Sequence, residues 1–332
     1  MKTILRNLTA GKSLSQDQAK EAMMRVMAGE FDDAQIAGFI IALRAKGETV
    51  GEITGFAQAM REKMTPVPIT SEAIDVCGTG GDSKGTFNIS TAATFVVAGA
   101  GVKVAKHGNR SITSKSGSAD VLSSLGVDIS MPPEKMAQCV DEIGVGFLFA
   151  PVLHPAMKYA MGARKSLSVR TVFNILGPLC NPADVKRQLI GIFDGGLTVK
   201  IAQVLKRLGA EEAFVVHGAD GMDEITTTST TKISHLNIKG KVKSFILSPS
   251  DCGIEITNLD NLKGGLPQEN AKIIKSVLKG TKGPHRDIVL MNAAAAILVG
   301  GNTGSIGEGM KLAEASIDSG AALNILDRLA SA

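Results

Sequence analysis

The chain has 332 residues, 44% of them hydrophobic and 20% charged, which makes it a folded globular protein able to bury one large core or two ordinary ones. A net charge of +4 with no basic tail, only 4% aromatic residues, no Trp and a single Tyr argue against a nucleic-acid partner, since the electrostatic stripe and the stacking platforms are both missing. Cys77, Cys139, Cys180 and Cys252 form no CxxC pair, the opening residues carry no secretory apolar segment, and no run reaches the roughly 18 apolar residues of a membrane span, so a cytoplasmic protein off the membrane is expected.

From Ser13 to about Met64 apolar residues recur at helical spacing. Capping-box pairs at Ser15/Gln18 and Thr49/Glu52 mark starts, and Gly29 and Gly47 mark stops. Three helices are expected there, closed by the stretch TPVPIT, with a boundary near Pro66 to Thr70. Strand-like runs then alternate with helical patterns: AIDV, a helix from Thr91, VKVAK, a helix from Ser118, VGFLFAP, a helix after Pro155, QLIGIF, TVKIAQVLKRLG and AFVVHG. The stretch ISHLNIKGKVKSFILS predicts an antiparallel hairpin through Lys239 to Lys241, and three helices close the chain. The fold class is α/β: a small N-terminal helical domain over 1–68, completed by helices around 155–178, and a large domain over 69–332 whose mainly parallel central sheet is flanked by helices.

Chemistry concentrates in three loops after strands. The first runs Asp75-Val-Cys-Gly78-Thr-Gly-Gly81-Asp82-Ser-Lys-Gly-Thr86-Phe-Asn88-Ile89-Ser90-Thr91 and opens into a helix. Glycines let a backbone approach phosphate closely, and hydroxyls with free N–H groups at a helix start can hold an anion or, through Ser90, a metal ion. The loop fits neither GxGxxG nor GxxxxGK[ST], because Thr86 stands where a P-loop needs lysine. The second constellation is Lys106-His107-Gly108-Asn109-Arg110-Ser111-Ile112-Thr113-Ser114, followed by Ser118, with cations and hydroxyls beyond a strand end where α/β sheets bind ligands. The third is Asp223-Glu224, adjacent hard-oxygen donors suited to Mg²⁺. Each has a plainer reading, as a tight turn, a solvated surface loop or a solvated acidic pair.

Taken in order, GTGGD, TFNIST, KHGNR, KSGSADVL, RTVFNILGPLCNP and DGMDE resemble the anthranilate phosphoribosyltransferase family along most of the chain. The resemblance implies a helical domain on a nucleoside-phosphorylase-type α/β domain, a homodimer, Mg²⁺, and a place in tryptophan biosynthesis. It implies that Gly78, Gly81, Asp82, Thr86, Asn88, Ile89, Ser90 and Thr91, with Lys106 to Ser114 and Ser118, hold phosphoribosyl pyrophosphate. It further implies metal contacts from Ser90, Asp223 and Glu224, and an anthranilate site at Gly78, Asn109 and Arg164 with His107 as an orienter. No protein nucleophile is expected. The chain departs from the family pattern at Ser83, where glycine is common, at Lys165-Ser166, often Arg-Glu, and at Cys180, often threonine.

Two rival readings are a pyrimidine nucleoside phosphorylase, which lacks KHGNR, and a nucleic-acid-binding member of the same superfamily, which would lean on basic grooves and a steep salt dependence. A purely structural protein would leave three polar constellations at strand ends unexplained.

Overall fold

The computed structural model describes residues 1–111 and 115–332, so the expected site residues Ile112, Thr113 and Ser114 lie outside the described residues. Four helices lead the chain: α1 (Lys2–Thr9), α2 (Gln16–Met27), α3 (Asp33–Lys46) and α4 (Val50–Lys63). Both expected capping boxes form, and a third, Asp32 with Gln35, starts α3. The unexpected helix is α1, whose N-cap Met1 makes no side-chain bond and so leaves no signature in the sequence. Glu52 does more than cap α4: buried, it also accepts from Leu14 N at 2.9 Å and pairs with Lys46 at 2.9 Å, fastening three segments of the bundle. Burial opposes its charge, yet Lys46 and these N–H donors hold its carboxyl below the usual range.

The α/β part runs β1 (Ile74–Gly78), α5 (Ile89–Gly99), β2 (Val104–Gly108), α6 (Ser118–Ser124), α7 (Pro133–Gln138), β3 (Val145–Phe149), α8 (Ala150–Leu153), α9 (Lys158–Leu167), α10 (Phe173–Leu176), β4 (Arg187–Gly191), α11 (Thr198–Arg207) and β5 (Glu212–Gly218). It ends with β6 (Thr231–Leu236), β7 (Val242–Leu247), α12 (Pro267–Leu278), α13 (Pro284–Val299), α14 (Ile306–Asp318) and α15 (Ala321–Ala330). Four terminal helices thus replace the three expected; α15 starts after left-handed Gly320 with no side-chain cap.

The sheet order is β3-β2-β1-β4-β5-β6-β7, with β1 to β5 parallel and the β6–β7 hairpin antiparallel, as its sequence predicts. From β1 the chain steps outward to β2 and β3, then returns to lay β4 on the other side of β1. Strand order therefore reverses between β1 and β4, and a crevice opens at their carboxyl ends.

Two apolar cores meet on this sheet. Val76, Leu189, Phe214 and Val216 face a core built with α5 and α13, while Cys77, Ile190 and Val215 face a second core shared with the N-terminal helices. Helix α9 packs on α2 and α3, where Ala163 N donates to Asp33 Oδ1 at 3.1 Å. Among the described residues no helix is long and apolar enough to cross a membrane.

Candidate functional site

Strands β1, β2, β4 and β5 all end on glycine, and at each end an added Cβ would meet another atom closer than 3.0 Å. A Cβ on Gly78 would lie 2.7 Å from Asp223 Oδ2, and one on Gly191 would overlap the Asp223 carbonyl oxygen. The turn after β5 therefore lies directly across the ends of β1 and β4. Asp220 braces that turn, accepting from Met222 N at 2.9 Å and from Thr226 Oγ1 at 2.6 Å.

This places the acid pair against the glycine loop. Gly80 N donates to Asp223 Oδ2 at 2.7 Å, and Ser90 N, in the first turn of α5, donates to Glu224 Oε1 at 3.1 Å. Burial, then the negative charge of Asp82, pushes Asp223 up to about 7; burial, then Asp223 itself, pushes Glu224 up to about 8. Among the described residues no cluster of three or more His, Cys, Asp or Glu closes on a metal. Elsewhere in the loop, Asp82 Oδ1 accepts from Lys84 N at 3.0 Å, Thr86 bridges Lys263, and buried Thr91 Oγ1 has no hydrogen-bond partner among the described residues. Ser83 adopts φ 60°, the left-handed backbone that glycine takes most easily, which accounts for the family's preference at this position.

The end of β2 is built on buried polar groups. Lys106, 3% exposed, donates to Val76 O at 2.5 Å and to Ser90 Oγ at 3.3 Å, tying β2 to β1 and to the start of α5. Beneath it lies fully buried Asp75, which accepts from His107 N at 3.1 Å and Asn181 Nδ2 at 2.8 Å. Burial raises the Asp75 carboxyl and lowers the Lys106 ammonium, while the attraction between the two charges works against both shifts.

His107 is held at both ring nitrogens. Nδ1 lies 3.2 Å from Gly177 O, and Nε2 lies 3.2 Å from Nε2 of His154. A carbonyl only accepts, so His107 carries its proton on Nδ1 and offers Nε2 as acceptor to the Nε2–H of His154. Burial, then His154 and Lys106, lowers His107 to about 3 against the pull of the Gly177 carbonyl, and burial lowers His154 to about 4 against that of the Cys180 carbonyl, so both rings are neutral.

Beyond Gly108 the loop is pinned onto the start of α6. Ser118 Oγ donates to Asn109 O at 3.2 Å, Asn109 Oδ1 accepts from Arg110 N at 2.7 Å, and Arg110 pairs with Asp120 at 2.8 Å. Asp120 also accepts from Ser111 N at 3.1 Å and Gly117 N at 2.9 Å.

Arg164, on α9, is half-buried with its guanidinium 5.3 Å from the centre of the Phe173 ring, and burial lowers its pKa. Among the described residues no carboxylate pairs with it; its contact is Met161 Sδ at 4.0 Å. Phe173 opens α10, one turn before the Gly177 carbonyl that holds His107, so the arginine and the histidine are linked through one short helix. Lys165 and Ser166 are exposed, and buried Cys180 Sγ approaches Ala57 O at 3.8 Å.

The glycine loop, the β2 loop and the acid pair thus converge, with Arg164 joined through α10. Four supporting side chains carry no motif of their own: Asp75, His154, Asn181 and Arg170, whose guanidinium donates to Gly81 O and stacks on Phe193 at 4.5 Å. Asp75 did leave a signal, being a charged residue inside the apolar run AIDV.

Comparison with known proteins agrees along the whole chain. Residues 2–64 match the helical bundle domain of a glycosyl transferase family, and residues 70–323 match its a/b domain. The anthranilate phosphoribosyltransferases of Moorella thermoacetica and Acetivibrio thermocellus are each 52% identical, over 97% and 98% of this chain and 95% of their own. The crystal structure of the Thermus thermophilus anthranilate phosphoribosyltransferase superposes with a TM-score of 0.94 at 42% identity, covering 99% of this chain and 98% of that one. The Saccharomyces cerevisiae enzyme, solved in complex with PRPP and Mg, gives 0.91 at 30% identity, covering 99% and 96%. With half its residues shared over nearly its full length, this chain belongs to the anthranilate phosphoribosyltransferase family.

Proposed function

We propose that the chain transfers the phosphoribosyl group of phosphoribosyl pyrophosphate to the amino group of anthranilate, releasing pyrophosphate, as a step of tryptophan biosynthesis. The observation that carries this reading is the acid pair Asp223–Glu224 held under the N–H groups of a glycine-rich loop at the sheet's switch point. The yeast relative bound to PRPP and Mg, and another yeast structure in complex with 4-fluoroanthranilate, support donor, metal and acceptor alike.

Gly78, Gly81, Asp82, Thr86, Asn88, Ile89, Ser90 and Thr91 would hold the donor from one side, and Lys106 to Ser111 with Ser118 from the other. Ile112, Thr113 and Ser114 complete that second loop by the family pattern. The donor set fits Mg²⁺: two crowded carboxylates, each raised in pKa by burial and by negative neighbours, with the Ser90 hydroxyl on the adjoining helix turn. A set this small suits an ion that keeps water and substrate phosphates among its ligands. When bound, the ion would neutralise charge developing on departing pyrophosphate.

The protein's own part is electrostatic and positional. Loop N–H groups and the Lys106 ammonium face a leaving group whose negative charge grows as the anomeric carbon takes on oxocarbenium character. An aromatic amine is already neutral with a free lone pair, so no general base is required before attack, and the new secondary amine sheds its extra proton to water or pyrophosphate afterwards. His107 suits that requirement: both nitrogens are engaged, so it orients and does not abstract. Arg164, without a carboxylate partner, would receive the anthranilate carboxylate as a fork, with Gly78 and Asn109 lining the same site.

Loss of anthranilate fluorescence on incubation with phosphoribosyl pyrophosphate and Mg²⁺ tests the reading. Thymidine phosphorolysis without that loss would instead favour a nucleoside phosphorylase. We further place the domain boundary at 68/69 and expect a cytoplasmic homodimer, the assembly the family resemblance implies; sedimentation of the purified protein measures it.

A further inference from the structure

Asn270 lies in α12, far along the chain from every loop described above, yet it is 2% exposed and reaches the glycine loop. The segment before α12 lies along that loop: Gly264 N donates to Gly85 O at 2.9 Å, and Phe87 N donates to Leu262 O at 3.2 Å. Across this seam Asn270 Oδ1 accepts from Gly265 N at 2.8 Å, and its Nδ2 donates to Asn88 Oδ1 at 2.9 Å. Asn88 in turn donates from Nδ2 to Ser116 O at 3.1 Å and accepts from Ser116 Oγ at 3.2 Å.

The direction of this chain is fixed at both ends. A backbone N–H can only donate, so Gly265 sets the oxygen of Asn270 towards itself and its amide nitrogen towards Asn88. A backbone carbonyl can only accept, so Ser116 demands the nitrogen of Asn88. Each amide therefore has one permitted orientation, and turning either over leaves two acceptors or two donors face to face. Asn88 belongs to the glycine loop and Ser116 to the end of the β2 loop, so the relay sets the spacing between the two loops assigned to phosphoribosyl pyrophosphate.

We infer that Asn270 is a positioning residue for the phosphoribosyl pyrophosphate site, acting through Asn88 to hold the two substrate loops in register; the inference rests on the function proposed above. Asn270→Asp tests it with little change of shape. An ionised Asp has no donor for Asn88 Oδ1, whereas a protonated one accepts from Gly265 N and donates to Asn88, restoring the pattern. The KM for phosphoribosyl pyrophosphate should rise about tenfold at about pH 8, the loss of one buried hydrogen bond, while the KM for anthranilate stays within about twofold. Relative to the parent at the same pH, the defect should fade towards about pH 5.5 as the buried carboxyl protonates, and Asn270→Ala should show no such recovery.

A KM for phosphoribosyl pyrophosphate equal to the parent's at both pH values, or equal losses for both substrates, overturns the relay. Hydrogen exchange supplies a measure independent of turnover: Asn270→Asp should speed exchange in residues 85–91 and 115–118 while the middle of α12 stays protected. Unchanged exchange in both loops overturns the inference even should the parent fail to make product, an outcome that would overturn the proposed function separately.

Discussion

The imidazoles of His107 and His154 meet nitrogen to nitrogen, Nε2 to Nε2 at 3.2 Å, in a contact that requires one ring to donate and the other to accept. It joins the end of β2 to the segment between α8 and α9, and the Gly177 carbonyl closes the other side.

This pair sets a pH dependence of stability. Burial lowers His107 to about 3 and His154 to about 4 from an ordinary 6.5, so below that value the unfolded chain takes up protons that the folded chain refuses. Their contribution is fully present above pH 6.5 and is lost as pH falls from there towards about 4 for His154 and about 3 for His107. His154→Gln keeps an N–H donor for His107 and removes one titrating group, so it should flatten the acid limb of a plot of Tm against pH. Parallel curves for variant and parent would contradict the neutral pair.

Arg164→Ala should raise the KM for anthranilate by on the order of tenfold to a hundredfold while the KM for phosphoribosyl pyrophosphate stays within about twofold. Arg164→Lys should recover little, since a point charge cannot match a carboxylate edge or keep the stack on Phe173. Equal loss for both substrates would contradict the assignment.

Asp223→Asn with Glu224→Gln should raise the Mg²⁺ requirement and lower turnover by on the order of a hundredfold at fixed Mg²⁺. Metal-free stability should move the other way. Carboxyls raised to about 7 and 8 contribute stability below their ordinary values of 3.8 and 4.5 and lose it as pH rises through the folded ones. The double variant escapes that loss, so without Mg²⁺ its Tm should fall less than the parent's between about pH 6 and pH 9. An unchanged Mg²⁺ titration of activity would refute the metal assignment.

Gly78→Ala should act through the same carboxylate, because the new methyl would lie 2.7 Å from Asp223 Oδ2 and displace it. Half-saturation by Mg²⁺ should shift upward about tenfold, the scale of a disturbed metal ligand. Gly209→Ala, just past the end of α11, is the contrast: at φ 85° with no described atom within 4 Å of the added Cβ, it should lower Tm through backbone strain of about 1 kcal/mol without moving that half-saturation.

Local pattern made much of this molecule legible. The alternation after Thr70, the capping boxes at Ser15 and Thr49, and the hairpin through Lys239 to Lys241 all follow from spacing that a sequence carries openly. Helices α1 and α15 carry no side-chain cap at their starts, so only apolar spacing could mark them. The site's loops were visible as motifs, but their supports were not. Asp75 finds Asn181 across 106 positions, and Asn88 finds Asn270 across 182, pairings made only when the sheet sets β1 beside β4 and α12 against the glycine loop. A single polar residue in a helix or linker gives no hint of a partner so distant.

The central strands divide their side chains between two cores, Val76 to one and Cys77 to the other, Leu189 and Ile190 likewise. The chain is consequently modular in sequence but indivisible in thermodynamics. Without residues 1–64, α9, α10 and α11 would present to water the apolar sides that now pack on α2, α3 and α4, and such a fragment should self-associate rather than persist as a monomer. Intact, the two halves should melt as one cooperative unit, because neither can unfold without baring the apolar helix sides the other packs against.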